Sequence, residues 1–381
     1  MIPYGKHHID NQDIEAVVDV LQNQFLTQGQ QVPQFERALA EYSGSDYALV
    51  VNSATSALHV ACLVLGIGKG DIVWTTPITF VASANSIRFC GADVDFVDID
   101  PQSRNLNPNA LLEKLKIAEK NNQLPKAIIC VHFAGASCDM QQISQICRSY
   151  NIAIIEDACH ALGGDYLNQK IGSCVHSDLT VYSFHPVKSM TTAEGGAIVS
   201  NNASLMKQAA LYAKHGVTKD AELIQGELDG PWAYQQIELG FNYRMSDLNA
   251  ALGISQLKKL NEFIQKRRTL AKRYFAKLAH LPLVLPDQAN LNTSAWHLFS
   301  IEFEGFDRKL AYQKLQQAGI GVNVHYIPVH FQPYYQKLGF KKGDFPHAEF
   351  YYSRTLTLPL YPQMTFEEQD KVITALEQIL L

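Results

Sequence analysis

The chain predicts an α/β protein, with a large domain of mostly parallel mixed sheet flanked by helices and a small C-terminal α/β domain. Two observations carry this. Up to residue 253 short apolar runs alternate with amphipathic helical periods, and strands joined through helices form parallel sheets covered on both faces. The composition, 47% hydrophobic and 18% charged over 381 residues, supplies core for more than one domain and excludes a disordered chain or a disulfide-dense module.

The first helical period places Ile14, Val17, Val18 and Leu21 on one face. A strand is expected over Tyr47–Val51, then a helix with Leu58, Ala61, Cys62 and Leu65 on one side. Further strands are expected over Ile72–Thr75, 94–97, 127–133, 153–155 and 179–184. A helical stretch over 246–278 is long for a globular helix and has no internal caps, so it is expected to bend or break. That hinge divides the chain into 1–253 and 254–381. After it come a strand over 297–303, a helix over 307–319 and a loop rich in His, Tyr and Pro. The last helix opens on Thr365 and Glu368 at capping-box spacing and carries Val372, Ile373, Leu376 and Ile379.

Thirty-two Lys and Arg against 37 Asp and Glu give a net charge of -5, with no basic run to track phosphates, so nucleic acid is not an expected partner. No apolar stretch follows the first charges and none nears the roughly 18 residues of a bilayer span, so a cytoplasmic protein without a membrane partner is expected. The seven cysteines form no C-x-x-C pair and read as buried free thiols. His325 and His330 lack a third ligand of clear spacing, so no metal is expected.

Three segments could carry chemistry. Lys188 lies in a turn just after a buried strand, where desolvation would lower its pKa and make the amine nucleophilic; a solvated surface lysine is the plainer alternative. Glu156-Asp157 ends an apolar strand, where a carboxylate can hold a protonated ring nitrogen, although helix caps are the commoner use. Ser53-Ala54-Thr55-Ser56 joins a strand end to a helix and could seat a phosphate or serve as an ordinary cap. A phosphate seat, a ring-nitrogen acid and a turn lysine are the parts of a pyridoxal phosphate site.

The chain resembles, over nearly its whole length, the sugar aminotransferases of the aspartate-aminotransferase superfamily (the DegT/DnrJ/StrS type). The resemblance rests on Leu26-Thr27-Gln28-Gly29, the 53–58 segment, Thr79-Phe80, His132-Phe133-Ala134-Gly135, Glu156-Asp157, the lysine segment, Gly240-Phe241-Asn242-Tyr243-Arg244-Met245 and Gln256-Leu257. It implies an aspartate-aminotransferase-like fold (fold type I) and pyridoxal 5'-phosphate as cofactor. Lys188 would bond covalently to the cofactor and carry the proton, and Asp157 would pair with its ring nitrogen. Ala54, Thr55 and Ser183 would hold the phosphate, Phe80 would stack on the ring, and His160 would lie by the ring hydroxyl. Asn242 would reach the phosphate of the partner subunit, making the enzyme a homodimer.

The forms Ser183-Phe184-His185-Pro186-Val187-Lys188 and Asn323-Val324-His325-Tyr326-Ile327-Pro328-Val329-His330 look most like members that serve pseudaminic acid biosynthesis. This implies transfer of the amino group of L-glutamate to C4 of a UDP-linked 4-keto-6-deoxy-N-acetylhexosamine, with Tyr4, Lys6, Thr27, His325 and Tyr326 toward the sugar. Arg244 is a candidate for the donor's carboxylates by charge alone. Ala193, where family members often carry Gly, gives an Ala-Glu-Gly-Gly form shared with enzymes that aminate UDP-linked 4-ketopentoses, so that sugar is an alternative. A sugar dehydratase of the family would carry His in place of Lys188. A nicotinamide oxidoreductase is disfavoured because Gly66-Ile67-Gly68-Lys69-Gly70 follows a helix and precedes a strand. A non-catalytic sensor would be expected to lack Lys188, Asp157 or Thr55.

Overall fold

A computed structural model describes residues 1–381. Its main sheet has seven strands: β1 (Tyr47–Val51), β2 (Ile72–Thr75), β3 (Asp93–Phe96), β4 (Ala127–Val131), β5 (Ala153–Asp157), β6 (Leu179–Ser183) and β7 (Gly196–Ser200). Their spatial order is β1-β7-β6-β5-β4-β2-β3. The β2, β3, β4, β5 and β6 ladders are parallel, and only β7 runs against its neighbours β6 and β1. The expected strands are present with small shifts. The 127–133 run stops at Val131 and turns through Phe133–Gly135, whereas the strand expected over 153–155 extends to Asp157. β7 was not expected, because the glycine pair that opens it reads as a loop.

The helices of the large unit are α1 (Asn11–Asn23), α2 (Gln31–Ser43), α3 (Ala54–Val64), α4 (Ala82–Phe89), α5 (Pro108–Lys120), α6 (Met140–Ser149) and α7 (Ala203–Ala213). In α3 eight of the eleven residues are buried, as befits a helix enclosed on most sides between the sheet, α4 and α7. α1 departs from expectation. Ile14, Val18 and Leu21 are exposed, and the helix docks on its neighbour through buried Asp13 and Val20. The reason is polar: the Asp13 carboxylate accepts from Gln256 Nε2 at 2.8 Å and Lys259 Nζ at 2.6 Å, which fixes that side of α1 inward.

The helix expected to break is one continuous element, α8 (Asp247–Leu278). It stays whole because two cores bury it in succession. Ala250, Leu257, Leu260 and Ile264 pack with Phe35 and Phe184 in the large unit, and Leu270, Tyr274, Phe275 and Leu278 pack with Trp296 and Phe299 in the C-terminal one. A Cβ at Gly253 would lie 2.6 Å from the Phe35 ring, so glycine there permits the close approach of α2.

The C-terminal unit holds an antiparallel sheet of β8 (Leu283–Val284), β9 (Phe299–Phe303) and β10 (Thr355–Leu358), with α9 (Arg308–Gln317), α10 (Pro346–Arg354) and α11 (Phe366–Leu380). The Thr365/Glu368 capping box forms at the start of α11. The amino terminus crosses this unit: Ile2 bridges Ile320, and the Leu360 amide donates to the Tyr4 carbonyl at 3.0 Å. No helix is long and apolar enough to cross a membrane.

Candidate active site

A cavity of about 460 Å³ opens at the carboxyl ends of β4, β5 and β6, between the large unit and the 323–326 segment, the place where parallel sheets collect ligands. Its floor is the start of α3. Ser53, in extended backbone, caps that helix by accepting the Ser56 amide at 3.1 Å. The Ala54 and Thr55 amides, first in the helix, have no partner one turn back. With the Thr55 and Ser183 side chains they line one end of the cavity and form an anion seat. A Cβ at Gly196 would fall 2.5 Å from the Ala54 nitrogen, so glycine is what lets β7 run this close to the seat.

Asp157 ends β5 and is buried. Its Oδ2 accepts the Ser83 hydroxyl at 2.7 Å and its Oδ1 accepts the Cys159 amide at 3.2 Å. Lys188 stands five residues beyond the end of β6. Burial lowers its amine below the ordinary lysine range, against the opposing pull of Cys159 and Asp157. Behind the sheet, Glu156 accepts from His132 Nε2 at 2.7 Å and from Thr180 at 3.2 Å and Ser177. The Cys138 amide donates to His132 Nδ1 at 3.1 Å, which leaves the proton on Nε2 and locks the turn that carries Phe133 and Ala134.

Four histidines line the cavity, His160, His185, His297 and His325. Burial first, and the Lys188 amine among the further causes, hold His160 and His297 well below their ordinary value and His325 down to about 3. The Ala134 amide donates to His160 Nδ1 at 3.3 Å, so the proton of the neutral ring sits on Nε2 and is donated to the Tyr326 oxygen at 2.9 Å. The Tyr326 hydrogen is then free for a ligand. His325 Nδ1 lies 2.8 Å from Thr357 Oγ1. Phe80 is 59% exposed, with its ring 6.3 Å from that of Tyr326.

The cavity therefore brings together Tyr4, Ala54, Thr55, Phe80, Asp157, His160, Ser183, Lys188, His325 and Tyr326, all singled out in the sequence. Thr27, Lys6 and Asn242 do not line it. Thr27 and Asn242 are exposed, Asn242 next to Asn52 at the foot of α3, and Lys6 borders a small adjoining space with Lys188. His330 points elsewhere and meets Glu349 at 3.0 Å. Ser83, Cys159 and His297 also line the cavity and had no signal in the sequence, since a lone Ser or His in an apolar segment reads as packing; Asn323 lines it as well, within the segment singled out for the resemblance. Ala193 takes φ +66, the left-handed backbone that glycine adopts without strain.

An anion seat at one end, a buried carboxylate in the wall and a desolvated lysine beside both match the three polar features of pyridoxal 5'-phosphate: its phosphate, its ring nitrogen and its aldehyde. The volume suits a cofactor with part of a substrate. The donor set present thus fits the group.

Residues 7–377 match the family described as DegT/DnrJ/EryC1/StrS aminotransferases. A Campylobacter jejuni relative named UDP-4-amino-4,6-dideoxy-N-acetyl-beta-L-altrosamine transaminase is 40% identical over 390 residues, covering 100% of this chain and 98% of its own. The structure of Helicobacter pylori PseC, an aminotransferase of pseudaminic acid biosynthesis, superposes with TM-score 0.91 at 32% identity, covering 100% of this chain and 99% of the other. The Streptococcus pneumoniae protein Spr1654, described as a sugar aminotransferase, is similar in its PMP form, with TM-score 0.91, 31% identity and coverage of 100% and 99%. Its PLP form gives 0.89, 30% and full coverage of both chains.

Proposed function

This chain belongs to the DegT/DnrJ/EryC1/StrS aminotransferase family and is a pyridoxal 5'-phosphate-dependent sugar aminotransferase, and from that premise we propose that it transfers the amino group of L-glutamate to C4 of a UDP-linked 4-keto-6-deoxy-N-acetylhexosamine for pseudaminic acid synthesis. The observation that carries the reading is the convergence of Lys188, Asp157 and the α3 anion seat in one cavity; the similarity to a transaminase named for such a sugar supports the substrate.

Bound at this site, the cofactor would supply an electrophilic carbon for amine exchange and a ring that takes up the electron pair left at the donor's α-carbon when its proton is removed. Ala54, Thr55 and Ser183 would hold its phosphate, Asp157 would hold the proton on its ring nitrogen, His160 would stand by its ring hydroxyl and Phe80 would cover its ring. The lowered basicity of Lys188 leaves a fraction of its amine unprotonated, so Nζ can take the α-proton of glutamate. In the second half-reaction the same nitrogen delivers a proton to the sugar carbon. Tyr4, His325 and Tyr326 face the sugar from the cavity wall, Lys6 stands in the adjoining space, and 2-oxoglutarate leaves before the ketosugar enters, which gives ping-pong kinetics.

The functional unit in this reading is a homodimer in which Asn242 of each subunit reaches the other's phosphate seat. The exposure of Ile14, Val18, Leu21 and Phe25 on and just beyond α1, and of Asn242 itself, supports it, because apolar surface of this kind marks association. We set the division into 1–253 and 254–381 within α8. Seven unpaired cysteines accord with a reducing cytoplasm.

Mass spectrometry of products from a panel of UDP- and TDP-linked 4-ketosugars with glutamate tests the reading. The UDP-linked 4-keto-6-deoxy-N-acetylhexosamine should be the substrate most rapidly converted to the amine. Preferred turnover of a 4-ketopentose would transfer the assignment to the alternative that the Ala193-Glu194-Gly195-Gly196 form suggests.

A further inference from the structure

We propose that Ser83, backed by Thr79, is a positioning residue that keeps the Asp157 carboxylate ionised and aimed at the cofactor's ring nitrogen. The inference rests on the reading of Asp157 given above and extends it to two residues outside the expected set. Asp157 is 5% exposed and makes no ion pair within 4.0 Å. A buried carboxylate without a cation depends on hydrogen-bond donors to stay charged. The Cys159 amide at 3.2 Å and the Ser83 hydroxyl, the shorter at 2.7 Å, donate to it, and the Cys159 thiol lies against it.

The direction of the contacts follows from chemistry. An ionised carboxylate only accepts, so the single Ser83 proton goes to Oδ2. Thr79 Oγ1 lies 2.7 Å from Ser83 Oγ, and with the Ser83 proton committed, Thr79 must donate. Two hydroxyls in series then polarise toward the carboxylate. Thr79 lies in the bend just before α4 and Ser83 in its first turn, and both are buried, at 3% and 1% exposure, so water does not replace them. A serine in a helix commonly bonds a carbonyl one turn back. Here that option, the Phe80 carbonyl, is 3.5 Å away, and the short bond instead spans 74 residues of sequence to Asp157.

Removing this donor makes the carboxylate more basic, so it draws the shared proton away from the ring nitrogen and weakens the ring as an electron acceptor. The test loads Ser83→Ala, Thr79→Val, Ser83→Thr and Asp157→Asn proteins with pyridoxal phosphate labelled with ¹⁵N in the ring. The nitrogen shift and the cofactor dissociation constant are then read at equilibrium. Ser83→Ala should move the ¹⁵N signal toward that of unprotonated pyridine and raise the dissociation constant about tenfold, the scale of one hydrogen bond to a charged group. Thr79→Val, which leaves the Ser83 bond in place, should move both in the same direction by less, and Ser83→Thr should keep the parent signal. An unmoved ¹⁵N signal in Ser83→Ala, with a moved one in Asp157→Asn, overturns the role of Ser83 and spares that of Asp157. A signal unmoved in Asp157→Asn as well overturns the reading of Asp157 and this inference with it.

Discussion

At the scale of single residues, His160, His297 and His325 line the cavity beside Lys188, and burial holds all three toward the neutral form. His325 is held at about 3, against 6.5 for a free imidazole, chiefly by burial. A group with a lowered folded-state pKa contributes stability that is present above its unfolded value and lost as the pH falls toward the folded one, here between about 6.5 and about 3. Urea unfolding from pH 7 down to pH 4 should therefore show falling stability. His325→Asn should flatten that fall by up to about 1.4 kcal/mol per pH unit, the slope of one proton. Parallel curves for the two proteins would show that His325 already carries a proton in the fold. Lys188 and Asp157 were legible in the sequence because each follows or ends an apolar strand, and strand ends are where ligands gather. Ser83 and His297 were not, since their significance lies in contacts with Asp157 and His160 that no local pattern encodes.

At the scale of elements, the anion seat is a joint product of α3 and β7. The strand was absent from the sequence reading because its opening glycines look like a turn, yet Gly196 is what permits the approach. Placing a methyl there, 2.5 Å from the Ala54 nitrogen, must push the helix start away from the cavity floor. Gly196→Ala should therefore weaken pyridoxal phosphate binding about tenfold or more, the order of the charge–dipole and hydrogen-bond energy at a helix terminus. Affinity for pyridoxal, which lacks the phosphate, should change little. Gly68→Ala, where an added Cβ meets nothing within 4 Å, is the control and should bind both normally. Equal losses for the two ligands in Gly196→Ala would indicate a general collapse of the cavity rather than of the seat. Strand positions were legible because apolar runs bounded by polar turns have few other uses. The α1 face was misjudged because Asp13 is held by Gln256 and Lys259, more than 240 residues away in sequence, and that polar docking outweighs the apolar stripe.

At the scale of the whole molecule, α8 binds two cores into one body, and Arg267 sits where they meet. It is fully buried without a carboxylate partner and donates to the carbonyls of Trp296, His297 and Leu360, so the wall that carries His297 is tied to the helix and, through Leu360, to the strap that carries Tyr4. The net charge of -5 is thus no guide to the cavity, where the seat of helix amides and Lys188 supply the positive side. What one chain does not bring to that cavity is Asn242, which lies exposed outside it. If each site takes its lysine from one subunit and its asparagine from the other, two inactive variants should repair each other. Lys188→Ala and Asn242→Ala dimers, dissociated together and reassociated in equal amounts, would form mixed dimers in which one site has both residues intact and the other has neither. Random pairing through a twofold interface predicts recovery of about a quarter of wild-type activity from the mixture, with neither parent approaching it. Activity that never exceeds the average of the two parents would place Asn242 in its own subunit's chemistry or in none.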